Sequence, residues 1–336
     1  MSLRSRIAPA AKSVLLRSGG YTALRRLAPS RRVAILRYHA ICGDEGASYA
    51  DPDICITRPA FEQQVRYLAA HYHVLPLAEV VERLRNRRAL PRNAVSITFD
   101  DGYADNLAAA RTLNQHGVTA TFFITSGSIA GEQPFWPTEI RGLLRRIDAP
   151  QVTLRLEGTT IEIPLQTQDQ RLAAIRTLTR LFKSQRIPVR ETLRDQLRLV
   201  ASNPELPHYM LQWNELAEMV RLGMTIGAHT ISHPNLPSAG LEDATREMAG
   251  SKARLQRELG TDVTLFSYPN GGAERYYTPE LQRVAAQLFA AAASSRNAFA
   301  GAHSDLYALE RIEVEERLED LVFALEVERF VLAPAT

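Results

Sequence analysis

Cysteine is almost absent: only Cys42 and Cys55 occur in 336 residues, too few for the disulfide framework of a small secreted scaffold. Free thiols are the expected state, although the two lie close enough in sequence to be bridged if geometry allows. Their spacing fits no thiolate zinc pattern, so any metal site must come from other side chains. Long apolar runs are also missing. None approaches the roughly 18 to 20 residues that span a bilayer, so no transmembrane helix is expected. A cleaved secretory leader needs about 7 to 15 uninterrupted apolar residues after its basic start, and residues 8–16 are broken by Pro9, Lys12 and Ser13. The expected place of the chain is therefore the cytoplasm or the face of a membrane.

Acidic residues are missing from one end. Residues 1–37 carry nine arginines and lysines and no carboxylate, so the rest of the chain is net −6 although the whole is +3. The basic segment 1–32 has two readings, peripheral contact with an anionic membrane surface or a solvated helix packed on the bottom of the fold. Nucleic acid is not an expected partner, because the folded remainder is acidic and lacks interleaved aromatic and basic residues.

What is present is an ordinary globular composition, with 45% hydrophobic and 23% charged residues, which excludes disordered and fibrous classes. Strand patterns at residues 33–38, 95–99, 120–125, 224–229, 264–268, 289–293 and 311–314 alternate with helical spacing at 59–71, 77–84, 105–116, 213–222, 241–259 and 278–288. Seven or eight strands separated by helices predict an α/β fold, a (β/α) barrel with chemistry at the C-terminal strand ends. An open doubly wound sheet is the alternative. The alternation breaks at about 134–210, where residues 151–165 read as a hairpin and 168–203 as two helices. This is an expected insertion in a domain spanning 33–336, either shaping a substrate groove or a plain appendage.

Three strand ends carry chemistry. Asp100-Asp101-Gly102 crowds two carboxylates at the end of a buried strand; either the triplet is a helix-capping turn, or a cation neutralises one carboxylate while the other moves protons. His229 and His233, four residues apart, follow a second strand end and present two imidazoles to one side. Two histidines with one carboxylate leave open positions on an ion, the pattern of catalytic rather than structural zinc. Residues 266–272, FSYPNGG, run a third strand into an irregular turn that either aims an amide at a ligand or makes a barrel corner. Trp136 could offer an apolar face to a sugar ring, whereas Trp213 is expected to pack in the core at the start of its helix.

With these pieces together the chain resembles the polysaccharide deacetylase family, the NodB-homology or carbohydrate esterase 4 group. Residues 98–103 are similar to its TFDDG motif, 229–233 to its H-[ST]-x-x-H motif, and 266–271 to an F-x-Y-P-x-G form of its third motif. Tyr38-His39, the helix around residues 61–68, and residues 309–314 resemble the branch related to exopolysaccharide deacetylases. The likeness spans roughly residues 33–320, the insertion excepted.

The resemblance implies a distorted (β/α)7–8 barrel with an α+β insertion and hydrolysis of N-acetyl groups on a sugar, polysaccharide or lipid-linked glycan. It implies Asp100 as general base, Asp101, His229 and His233 as ligands of a divalent metal, usually zinc, and a backbone N–H near Tyr268 and Pro269 at the oxyanion. Two positions depart from the family. Ser267 stands where many members have an arginine that orients the base, so another group must hold Asp100. No late Leu-x-His histidine follows His303, and His39, at the end of the first strand, is either the substitute acid or a packed strand-end histidine. These departures also leave room for an inert glycan-binding protein on the same scaffold, or for a peripheral membrane protein acting through its basic N-terminus.

Overall fold

The computed structural model describes residues 7–43, 46–271 and 276–332; Gly272 of the third motif and both chain termini lie outside them. Two short helices, α1 (Pro9–Arg17) and α2 (Gly20–Leu27), precede β1 (Val33–Tyr38), β2 (Ala40–Cys42) and β3 (Cys55–Thr57). Then come α3 (Arg58–His71), β4 (His73–Val74), α4 (Leu77–Arg85), β5 (Ala94–Phe99), α5 (Asn106–Gln115) and β6 (Thr121–Ile124). The segment that interrupts the alternation contains α6 (Trp136–Arg146), the hairpin β7 (Gln151–Leu156) and β8 (Thr159–Pro164), α7 (Gln168–Ser184) and α8 (Ile187–Val200). The alternation resumes with α9 (Trp213–Arg221), β9 (Thr225–Ala228), α10 (Leu241–Leu259), β10 (Leu265–Ser267), α11 (Pro279–Leu288), β11 (Ala291–Ala293), β12 (Ile312–Glu313) and α12 (Leu318–Glu326).

The main sheet runs β11-β10-β9-β6-β5-β1-β12, all parallel, with β4 added beside the start of β5. It curls until Leu309, just ahead of β12, bridges Ala293 of β11. A distorted (β/α) barrel is thus the observed fold. The six residues of β1 and the six of β5 are all buried, as expected where helices cover one side and the curl closes over the other. Leu36 and Ile97 face the helix-side core, whereas Val33 and Ile35 join a smaller cluster with Phe123, Leu265 and Leu309.

Local signals set the helix starts. Thr57 and Thr278 accept the amides of Ala60 and Leu281, each just ahead of a proline at the helix start, where the missing N–H costs nothing. Thr167 and Gln170 form a reciprocal capping box at the start of α7. The elements from α6 to α8 pack their own core around Trp136, Ile140, Leu154, Leu178, Phe182 and Leu197.

The basic N-terminal helices pack on the fold, one of the two arrangements expected for them, whereas the expectation of free thiols is overturned. Helices α1 and α2 are docked on α12: Lys12 pairs with Asp320, Arg25 with Glu326 at 3.0 Å, and Tyr21 packs with Leu318, Val322 and Phe323. The cysteines are bridged rather than free. The cause is the parallel β2–β3 ladder, which sets Ala40 opposite Cys55 and brings the Cys42 and Cys55 Cα atoms to 5.6 Å. Within the described residues no helix is long and apolar enough to cross a membrane.

Candidate metal centre

Strand β5 ends at Phe99, and the next two residues are the adjacent carboxylates. Asp101 (φ 77°) and Gly102 (φ 90°) both take left-handed backbone, a turn that points the two acid side chains in different directions. Both are buried, at 3% and 5% exposure, so each needs compensation.

For Asp101 that compensation is the histidine pair. Its Oδ1 lies 3.4 Å from His229 Nε2 and 3.3 Å from His233 Nε2, and all three ligand atoms fall within 4.8 Å of one another. A tetrahedral ion bound at roughly 2.0 to 2.1 Å places its ligand atoms about 3.3 to 3.4 Å apart, and the two distances from Asp101 match that spacing. The Nδ1 of His229 bonds the Ser267 carbonyl at 2.8 Å, which turns Nε2 toward the aspartate. Burial would raise the Asp101 carboxyl, but hydrogen bonds from His229 and His233 hold it well below the usual range.

Asp100 is compensated differently. Arg311, 1% exposed, donates to both its carboxylate oxygens, at 2.8 and 2.7 Å, and to Ser267 Oγ at 2.9 Å. The same guanidinium donates to the Ser294 carbonyl and to Thr98 Oγ1. Ser267 of the third motif thus meets Asp100's partner rather than supplying it, and the arginine comes from the residue just ahead of β12. Burial alone would raise Asp100, yet the Arg311 charge outweighs it and holds the carboxyl well below its ordinary value. Sequence reasoning singled out residues 309–314 without giving Arg311 a role.

His39 follows β1, with Nε2 3.9 Å from Asp100 Oδ2. Burial lowers its imidazole to about 4 against the nearby aspartates, so the resting ring is neutral near pH 7. Tyr268 and Pro269 stand less directly at the site. The Tyr268 amide already donates to the Ala293 carbonyl and its hydroxyl to the Tyr307 carbonyl, and proline has no N–H. In this structure both donors of Tyr268 are therefore already engaged. The first amide of the motif past this ladder is that of Asn270, which lines the cleft with φ 75°.

The loop carrying the histidines is held from several sides. Thr230 (φ 68°) and His233 (φ 52°) are left-handed. Glu247 of α10 accepts the amides of Ile231 and Ser232, both at 2.8 Å, and the Ser232 hydroxyl. Gly127 donates to the Ile231 carbonyl at 2.9 Å. From α6 and α8, Trp136 Nε1 donates to the His233 carbonyl at 2.9 Å, and Arg190 reaches that carbonyl and Ser232 Oγ. Trp136 is therefore a buried scaffold residue at the edge of the cleft. A cavity of about 560 Å³ opens over these groups, lined also by Arg37, Arg141, Lys183 and Arg296. His303 is exposed and lines a different cavity.

The polysaccharide deacetylase family model matches residues 87–289, more than half of the chain. The chain belongs to the polysaccharide deacetylase family. YxkH of Bacillus subtilis (strain 168), which carries the same family name, is 21% identical over 299 residues, covering 88% of this chain and 76% of that protein. Among solved structures, the Streptococcus pyogenes deacetylase PplD in complex with acetate aligns with a TM-score of 0.57 and 21% identity, covering 88% of this chain and 99% of that one. IcaB from Ammonifex degensii aligns with a TM-score of 0.56 and 18% identity, covering 89% and 98%. At these identities the two structures speak to the fold, and its deacetylase barrel is the one observed.

Proposed function

We propose that this polysaccharide deacetylase removes the acetyl group from the nitrogen of an N-acetylated sugar in a glycan, with a divalent cation at Asp101, His229 and His233 and Asp100 as general base. The donor set of two imidazoles and one carboxylate favours zinc. The observation that carries the reading is the convergence of three ligand atoms, two imidazole nitrogens each 3.3 to 3.4 Å from the Asp101 oxygen, directly beside an ionised, aimed carboxylate. When bound, the cation polarises the acetyl carbonyl and makes a water more acidic.

The chain's own residues do the rest. Asp100 receives the proton of the attacking water, and the Arg311 fork keeps it ionised and fixed in orientation. His39 Nε2, 3.9 Å from Asp100, takes that proton onward and delivers it to the departing nitrogen. A ring that is neutral at rest suits this order of events. The Asn270 amide is the backbone donor placed to bind the oxyanion. Arg311 beside Asp100 supports a hydrolytic centre over an inert glycan-binding scaffold.

The test couples metal analysis of the purified chain with acetate release from N-acetylated oligosaccharides. Chelation is expected to abolish release and added zinc to restore it. His39→Ala is expected to lower turnover by about 100-fold or more with metal content unchanged. An unchanged rate at full metal content would exclude the His39 role, and metal-free chain with full activity would exclude the centre.

A further inference from the structure

The pole of the barrel opposite the catalytic mouth holds a second cavity, of about 700 Å³, lined by Arg31, Arg87, Arg88, Arg92 and His303 with Leu84 and Leu90 among the apolar residues. Every titratable group lining it is basic, and no carboxylate does. Arg31, Arg87 and Arg92 are exposed and have no carboxylate partner among the described residues; Arg88 pairs with Glu82. The fold holds these like charges together by tying their backbones: the Ser30 amide donates to Asn93 Oδ1 and the Asn93 amide to the Ser30 carbonyl, both at 2.9 Å.

Arg31 stands just before β1 and Arg92 just before β5, whereas His39 and Asp100 follow the far ends of the same strands. A six-residue strand rises about 20 Å, which sets the arginine cavity that far from the metal centre. Beside it lie large apolar side chains facing solvent. Leu27 is 85% exposed, Phe330 62% and Val331 65%. They sit on neighbouring segments, since Arg329 donates to the Ala28 carbonyl and Arg32 to the carbonyls of Arg329 and Leu332.

We propose that this pole is a docking surface for an anionic lipid bilayer, with a phosphate-bearing headgroup in the arginine cavity. Leu27, Phe330 and Val331 enter the headgroup boundary, where exposed apolar side chains gain burial and arginines gain counter-charge. In that pose the catalytic cleft opens away from the bilayer, toward glycan that extends from the surface rather than toward the headgroup layer. The inference stands on the basic pole alone and does not depend on the hydrolytic reading.

The test is flotation of the full chain with vesicles of phosphatidylcholine alone and of phosphatidylcholine mixed with phosphatidylglycerol. Recovery is expected only with the anionic vesicles and falls as salt is raised, because screening shortens the reach of exposed charge. The charge-reversal variant R87E/R88E/R92E is expected to partition about 100-fold more weakly or worse, and L27S/F330S more weakly as well, with native circular dichroism in both. Should the triple variant fail to fold, the single variants R87Q and R92Q carry the test, each expected to weaken partitioning by about fivefold. Equal recovery with neutral and anionic vesicles, or recovery untouched by these substitutions, overturns the proposal. So does calorimetric binding of inorganic phosphate to the cavity without vesicle recovery, which would leave a site for a free anion.

Discussion

Replacing Arg311 with methionine leaves Asp100, 3% exposed, as a buried charge with its fork of donors gone. Removing one partner of a buried ion pair costs about 3 to 5 kcal/mol, a large part of the roughly 5 to 15 kcal/mol that holds an ordinary domain. Removing both partners is far milder, because no charge is stranded. Arg311→Met is therefore expected to lose about 3 to 5 kcal/mol, while Arg311→Met with Asp100→Asn recovers most of it. Neither is expected to turn over substrate. Arg311→Lys falls between: a point charge cannot bond both oxygens at once, so Asp100 stays ionised but poorly aimed, and turnover drops with a smaller loss of stability. The measurement is urea unfolding followed by tryptophan fluorescence, in the presence of chelator so that metal binding does not mask the difference. If the single methionine variant unfolds within about 1 kcal/mol of the parent, or the double variant is no more stable than the single one, Arg311 is not what compensates Asp100.

Arg190→Met removes a donor from the His233 carbonyl and Ser232 Oγ, and is expected to weaken metal affinity by about 10- to 100-fold in a competition titration against a chelator, with kcat per bound metal retained. Gly127→Ala would set a Cβ 2.6 Å from the Ile231 carbonyl oxygen, so overpacking is expected to cost about 1 to 3 kcal/mol and to speed metal loss in dialysis. Substituting both Cys42 and Cys55 with serine opens a loop of 13 residues, expected to cost about 3 kcal/mol in thermal unfolding; Tyr49, Asp51 and Asp53 of that loop line the cleft, so KM is expected to rise more than kcat falls.

Strands β1 and β5 were legible because parallel strands buried on both faces read as unbroken apolar runs. The later strands are shorter than their patterns predict: residues 224–229 yield only Thr225–Ala228, and 289–293 only Ala291–Ala293, since ladder ends depend on neighbours rather than on local propensity. The convergence of Asp101, His229 and His233 beside Asp100 was legible because each sits in a spaced motif at a strand end. Arg311 was not, as its partner lies 211 residues away and a buried ion pair leaves no periodic trace. The disulfide escaped for a related reason: only the register of β2 on β3, imposed by the fold, brings the two sulfurs together. The motif around Tyr268 was legible, but not that the Tyr268 amide is engaged by β11, because that bond depends on the neighbouring strand.

The segment from α6 to α8 interrupts the alternation, yet it is tied to the centre by strain in the histidine loop. Two non-glycine residues there, Thr230 and His233, hold left-handed backbone, a conformation that costs on the order of 1 kcal/mol or more per residue and persists only when surroundings over-determine it. Glu247 and Gly127 fix the middle of the loop from the barrel side. The His233 carbonyl is fixed only by Trp136 and Arg190 among the described hydrogen bonds, both from the segment between α6 and α8. His233 Nδ1 is buried without a hydrogen-bond partner, so the ring is not oriented through its far nitrogen as His229 is. Its aim must come from the backbone instead. The segment between α6 and α8 thus does for His233 what the Ser267 carbonyl does for His229, which is why its loss should be felt first in metal affinity and only secondarily in the shape of the cleft.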